Sequence, residues 1–173
     1  MARLFRPDYY FARVQDITVP FLNGIGISGV VLDIDNTLVY YDVRLPDAPG
    51  AAWMGRLVDA GFPVAFVSNA NAARVEQFNS PMGFHAVSKA GKPGTKGFLA
   101  AAARMGLPPA AIAVIGDQVF TDVLGGNLAG MVTLLVKPIQ MEPWLRFRIR
   151  RAFEKPILSG MPITTRAEES DAR

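Results

Sequence analysis

The chain of 173 residues has no cysteine and a single histidine, His85. The first absence excludes disulfides and thiolate metal sites, and it suits a reducing compartment. The second leaves any chemistry with histidine as phosphoryl acceptor resting on one residue inside the apolar run FHAV, where a satisfied structural histidine is the simpler expectation. No apolar run approaches the roughly 18–20 residues needed to span a bilayer. The opening MARLFRPDYYFARVQD lacks the apolar centre of a secretory signal, so a cytoplasmic protein is expected. Charge is scarce too. Only 19% of residues carry one, and a formal net charge of +3 names no partner.

Half of the residues are hydrophobic, which suits a globular chain with one well-buried core and too little length for two ordinary domains. Short apolar runs at 29–34, 63–67, 82–87, 112–115 and 131–136 read as five strands. Between them, helical spacing marks 49–60, with Trp53, Met54, Leu57 and Val58 inward, and 95–105, with Phe98, Leu99, Ala102 and Met105 inward. A shorter helix is expected at 122–129. This alternation predicts an α/β fold: one Rossmann-like three-layer domain over residues 1–160, with a mainly parallel five-stranded sheet spanning 29–136 and no cap domain. The tail 161–173 is expected to be mobile.

Ligands of such sheets gather beyond the carboxyl ends of the strands, so the residues ending each apolar run are the ones to weigh. They are Asp33 and Asp35 after the first, Ser68 and Asn69 after the second, and Asp117 after the fourth; Lys92 precedes a helix. Two aspartates flanking one isoleucine resist joint ionisation, which calls for a positive partner, most simply a metal ion. A carboxylate nucleophile can attack a phosphomonoester only where anionic repulsion is cancelled, by a hard divalent cation and a lysine. Asp33 is then the candidate nucleophile and Asp35 the acid/base, its backbone carbonyl facing the metal. Asp117 completes a carboxylate site for Mg2+ with Asp122 as a direct or water-mediated ligand. Ser68 and Asn69 bind phosphate oxygens, and Lys92, preferred over Lys89, neutralises nucleophile and phosphate.

Bland alternatives exist for each residue: Asp and Ser commonly end strands in capped turns, and Asp122 could simply cap a helix. The glycines of NGIGISG precede a strand rather than follow one, so they make no dinucleotide site. AGKPG lacks the residues of a Walker loop. The methionines read as packing.

Taken together, DIDNT (33–37), FVSNA around Ser68, AGKPG around Lys92 and GDQVFTD around Asp117 and Asp122 resemble the four motifs of haloacid-dehalogenase-type (HAD) hydrolases, in order. The phrases IGDQVFTDVLGGNLAGM and RPDYY look like the YqeG type of subclass IIIA phosphatases, which is related to mitochondrial phosphatidylglycerophosphate phosphatases. That resemblance implies a HAD-type fold, an aspartyl-phosphate intermediate and Mg2+ dependence. By analogy alone it adds phosphatidylglycerophosphate to the candidate substrates, beside soluble sugar or nucleotide phosphates. The rival of another class is a receiver-like signalling module, which would carry its phosphorylated Asp where this chain has Ser68.

No cap fits between the motifs, so the substrate or a partner must help exclude water, which favours larger substrates such as lipid headgroups. The segment WLRFRIRRAFEK (144–155) carries five bases and one acid, a net +4. As a helix over about 142–155 it would group Leu145, Ile149, Ala152 and Phe153 on one face. It reads first as a terminal helix with a solvated basic rim. The sharper expectation is peripheral contact with anionic lipid on the inner membrane face, and nucleic acid is the weaker alternative. Oligomeric state is not encoded in these patterns.

Overall fold

The computed structural model describes residues 2–140 and 145–164. Six strands form one sheet in the order β1-β6-β5-β2-β3-β4: β1 (Tyr9–Phe11), β2 (Gly29–Leu32), β3 (Val64–Val67), β4 (His85–Val87), β5 (Ile112–Gly116) and β6 (Val132–Val136). Every neighbouring pair is parallel. The five expected strands are present, and β1 is an addition at the edge beside β6. It is too short to show a period. What seats it is polar: Asp8 accepts hydrogen bonds from the backbone N–H and hydroxyl of Thr133, at 2.8 and 3.1 Å.

Alternate residues of each strand face opposite layers. Val30, Leu32, Val64 and Phe66 pack with α1 (Val19–Gly24), α2 (Ala48–Asp59) and α3 (Ala72–Asn79) on one face. Val31, Ala65, Val67 and Val114 pack with Phe98, Ala101 and Ala102 of α4 (Lys96–Met105) on the other. The result is the expected three-layer sandwich. Within the helices the expected inner faces need adjusting. Val58 and Leu99 are exposed, at 46% and 43%, and Ala101 takes the inward place that Leu99 was given. The helix expected at 122–129 is shorter, α5 (Leu124–Leu128), and is entered through a π-helical turn, Val119–Val123.

The last helix, α6, is described over Leu145–Leu158, three residues past the expected end at 155; residues 142–144 lie outside the described residues. Of the face expected to dock, the side chains of Leu145 and Ile149 lie outside the described residues, and the other two do not point inward. Ala152 is exposed and Phe153 is 66% exposed, whereas Glu154 is buried, and Ile157 and Leu158 pack against Val119, Val123 and Leu135. Glu154 Oε1 accepts the backbone N–H of Val119 at 3.0 Å, so a carboxylate anchors the helix where aliphatic contact was expected. Trp144, the side chains of the arginines from 146 to 151, and the tail from 165 onward lie outside the described residues. Among the described residues no helix is long and apolar enough to cross a membrane.

β2 lies between β3 and β5, so the chain moves outward from β2 in both directions and the order reverses beside it. That reversal opens a crevice at the carboxyl ends of β2 and β5, the place where such sheets bind ligands. Above it, residues 68–71 link β3 to α3, 88–95 link β4 to α4, and the longer 33–47 links β2 to α2. None is long enough to hold a further domain.

Candidate active site

At the end of β2 the backbone of Asp33 continues the ladder with β5, its N–H donating to Ile115 O at 2.9 Å. The chain then turns tightly. Ile34 is buried, and its carbonyl accepts the N–H groups of Leu38 and Val39. Asn36 takes the left-handed conformation (φ 66°) that asparagine tolerates well. Its side chain grips Gln140 through both backbone groups, at 2.9 and 3.0 Å, which ties this turn to the segment after β6.

Lys92 Nζ lies 2.7 Å from Asp33 Oδ1 and 2.6 Å from Asp122 Oδ1. The Thr37 hydroxyl lies 3.3 Å from both Asp33 Oδ2 and Asp117 Oδ1 and can donate to either. Ligand oxygens of Asp33, Asp117 and Asp122 fall within 4.8 Å of one another, and all three residues are buried. Residues distant in sequence, with Lys92 rather than Lys89 supplying the ammonium, therefore meet at one point.

Burial pushes the Asp33 carboxyl up to about 6; Lys92 opposes that rise, while the charges of Asp122 and Asp35 add to it. Burial alone would pull Lys92 down. Asp122 and Asp33 more than offset it, so the ammonium is held above the usual lysine range.

The loop that delivers Lys92 is fastened by Asn69, whose side chain accepts from Lys92 N–H at 2.8 Å and donates to Lys92 O at 3.2 Å. The Asn69 amide, expected on phosphate, thus holds the lysine loop. Ser68 is buried at the tip of β3 and its Oγ accepts Ala70 N–H at 3.1 Å, a use of the oxygen that leaves the hydroxyl proton for another partner. Asp122 is held close by Gly116: a Cβ there would lie 2.3 Å from Asp122 Cγ, so only glycine admits the carboxylate at this depth. Asp122 Oδ2 accepts from Gln118 N–H at 3.2 Å.

Sequence reasoning did not foresee Arg74 on α3, which forms an ion pair with Asp35 at 2.9 Å. The DxDxT spacing also held a signal for Thr37 that went unassigned. His85 starts β4 away from this cluster. Its Nε2 is buried without a hydrogen-bond partner among the described residues, contrary to the satisfied histidine expected.

Carboxylates terminating β2 and β5, with a buried lysine between them, match the four-motif pattern in space. A protein of Bacillus subtilis (strain 168) with the name "Probable phosphatase YqeG" is 36% identical over 161 residues, covering 93% of this chain and 94% of that protein. This chain belongs to the YqeG family of the HAD superfamily. Its residues 89–138 also match the family model described as HAD-hydrolase-like. Among solved structures, the cobalt-bound deoxy-D-mannose-octulosonate 8-phosphate phosphatase YrbI of Haemophilus influenzae superposes with a TM-score of 0.55 at 17% identity, covering 79% of this chain and 90% of that one. A HAD-superfamily hydrolase from Ehrlichia chaffeensis gives a TM-score of 0.55 at 14% identity, covering 77% and 98%. A HAD family hydrolase from Deinococcus radiodurans, solved with bound phosphate and sodium, gives 0.54 at 17%, covering 83% and 93%. These likenesses carry the fold. The receiver-like alternative falls with the family.

Proposed function

We propose that this HAD-family protein is a Mg2+-dependent phosphomonoester hydrolase that works through an aspartyl-phosphate on Asp33. The observation that carries the proposal is the meeting of Asp33, Lys92, Thr37, Asp117 and Asp122 within hydrogen-bonding or ligand reach at the crevice. Three carboxylates are a hard, all-oxygen donor set that suits Mg2+. Asp33, Asp117 and the Asp35 carbonyl would hold the ion directly. Asp122, whose Oδ1 is already on Lys92, would act through water. Once bound, the cation would neutralise charge on nucleophile and phosphate.

The chain's own groups then divide the work. An Asp33 oxygen forms a bond to phosphorus while the ester P–O bond breaks, its electron pair passing to the leaving oxygen, which takes a proton from Asp35. Asp35 next removes a proton from water as that water attacks phosphorus. The Asp33–phosphorus bond breaks, the pair returns to the carboxylate, and inorganic phosphate leaves. Lys92 faces the charge that develops on both partners, and Ser68 with nearby backbone N–H groups holds the phosphate oxygens.

The absence, among the described residues, of a cap domain over the crevice supports a substrate class. A phosphate presented on a lipid surface, such as phosphatidylglycerophosphate, brings its own shield from water, and a net +4 segment at 144–155 would sit well against anionic lipid. Asp33→Asn should reduce Mg2+-dependent release of inorganic phosphate by at least about 10³-fold. Unchanged turnover would refute the mechanism. Parallel assays on phosphatidylglycerophosphate in anionic vesicles and on soluble sugar and nucleotide phosphates decide the substrate, and faster turnover of a soluble ester would overturn the lipid assignment.

A further inference from the structure

We infer that Arg74 is the positioning residue for Asp35: it holds one carboxylate oxygen so that the other carries the proton for the leaving group. This inference rests on the phosphatase reading above. Asp35 sits one residue past buried Ile34, where the backbone is held by the turn but the side chain still has two torsions to settle. Arg74 settles them. Its Nε and Nη2 both donate to the same oxygen, Asp35 Oδ1, at 3.0 and 2.9 Å. The fork is itself held. Nη2 reaches Tyr40 O at 3.5 Å, the guanidinium carbon lies 5.8 Å from the centre of the Phe78 ring, and Arg74 N–H donates to the α3 cap Asn71 at 2.9 Å.

The two side chains are only 13% and 17% exposed, which sets this pair apart from a solvated surface bridge. The contact also spans the site. Arg74 belongs to the helix after β3, Asp35 to the turn after β2, and Tyr40 to the loop that continues from it. With Oδ1 occupied by two donors, Oδ2 is the oxygen to hold and transfer the proton. Loss of Arg74 would leave the carboxylate free to rotate, and misplacement by about 1 Å is enough to cost about 10²-fold in rate.

Dependence on the leaving group separates this role from a merely structural one. A nitrophenolate departs without a proton, whereas phenolate gains more from one, so only the latter step needs a well-placed acid. The test compares kcat/KM for p-nitrophenyl phosphate and phenyl phosphate, with Mg2+, in wild type, Arg74→Ala and Arg74→Lys. We expect Arg74→Ala to lose less than about 3-fold on the nitrophenyl ester and at least about 10-fold more on the phenyl ester. Arg74→Lys, with a single nitrogen and no planar fork, should fall between. Equal losses on both esters, or none, would overturn the role of Arg74. A wild type that hydrolyses neither ester would instead overturn the phosphatase reading. Turnover of the nitrophenyl ester reports that each variant is folded, and Arg74→Lys carries the comparison if the alanine variant is not.

Discussion

Asp33→Asn should kill turnover and yet make the metal-free protein more stable. The carboxyl of Asp33 sits at about 6 instead of its ordinary 3.8, because it is buried and shares its lysine with Asp122. That gap means the folded state disfavours the ionised form by about 3 kcal/mol relative to the unfolded chain. Asparagine has nearly the same shape, can still accept a hydrogen bond from Lys92, and carries no charge. It sheds the cost, although Lys92 loses one of two anionic partners, so a net gain of about 1–3 kcal/mol is expected. For a chain of this size that is roughly 2–10 °C in Tm.

The pH dependence identifies the cause. The folded protein binds the Asp33 proton more tightly than the unfolded chain between 3.8 and about 6, so wild-type stability falls as pH rises through that window. The variant's advantage should therefore be full at pH 8, about half as large at pH 5 and nearly gone at pH 4. Thermal melts of both proteins in EDTA at these three values measure it. A variant no more stable than wild type at pH 8, or an advantage that ignores pH, would refute the claim that this carboxylate is held at a cost.

Mg2+ should stabilise the wild type at pH 8 by about 2.7 kcal/mol at a hundred times its dissociation constant, read as a rise in Tm, and progressively less below about pH 6 as the Asp33 proton competes; the Asp33→Asn gain should be much smaller. Lys92→Met leaves Asp33 and Asp122 buried without their shared cation and should cost about 3–5 kcal/mol in urea unfolding without metal, part of it restored by Mg2+. Gly116→Ala would drive a methyl into Asp122, so we expect loss of phosphatase activity together with a drop of about 1–3 kcal/mol in stability. Asn69→Ala unfastens both backbone groups of Lys92 and should lower kcat and cost about 1–3 kcal/mol, whereas Asn69→Asp keeps the bond from Lys92 N–H and should lose less in both assays.

What could be read from the sequence was what sits at strand ends. Asp33 and Asp117 each stop an apolar run, and a parallel sheet gathers such stops on one rim, so their meeting could be expected from local pattern. Arg74 had no such marker. It lies on a helix whose Glu76 and Gln77 face solvent, and only the placement of α3 beside the Asp35 turn makes it special. β1 escaped notice because three residues cannot display a period and because its seat is the side chain of Asp8. The face of α6 was misassigned for a related reason: hydropathy favoured Phe153, but Glu154 finds a backbone N–H that no reading of helical spacing could supply.

The distribution of charge links these pieces. Four aspartates, 33, 35, 117 and 122, face two cations, Lys92 and Arg74, which leaves a formal charge of −2 in a largely buried crevice. The cations do not share targets. Lys92 bridges Asp33 and Asp122, and Arg74 takes Asp35, so the proposed nucleophile and the proposed acid have different partners although they are two residues apart. Such a division lets neighbouring carboxylates perform unlike tasks, and Asp33 responds to Lys92 more than to Asp35. Burial raises Asp33 most, the negative charges of Asp122 and Asp35 add to that rise, and one divalent cation on Asp33 and Asp117 would cancel the formal −2. On this view the crevice is short of positive charge by the amount that one divalent cation brings, and the stability cost at Asp33 reflects the burial of its carboxylate together with that deficit.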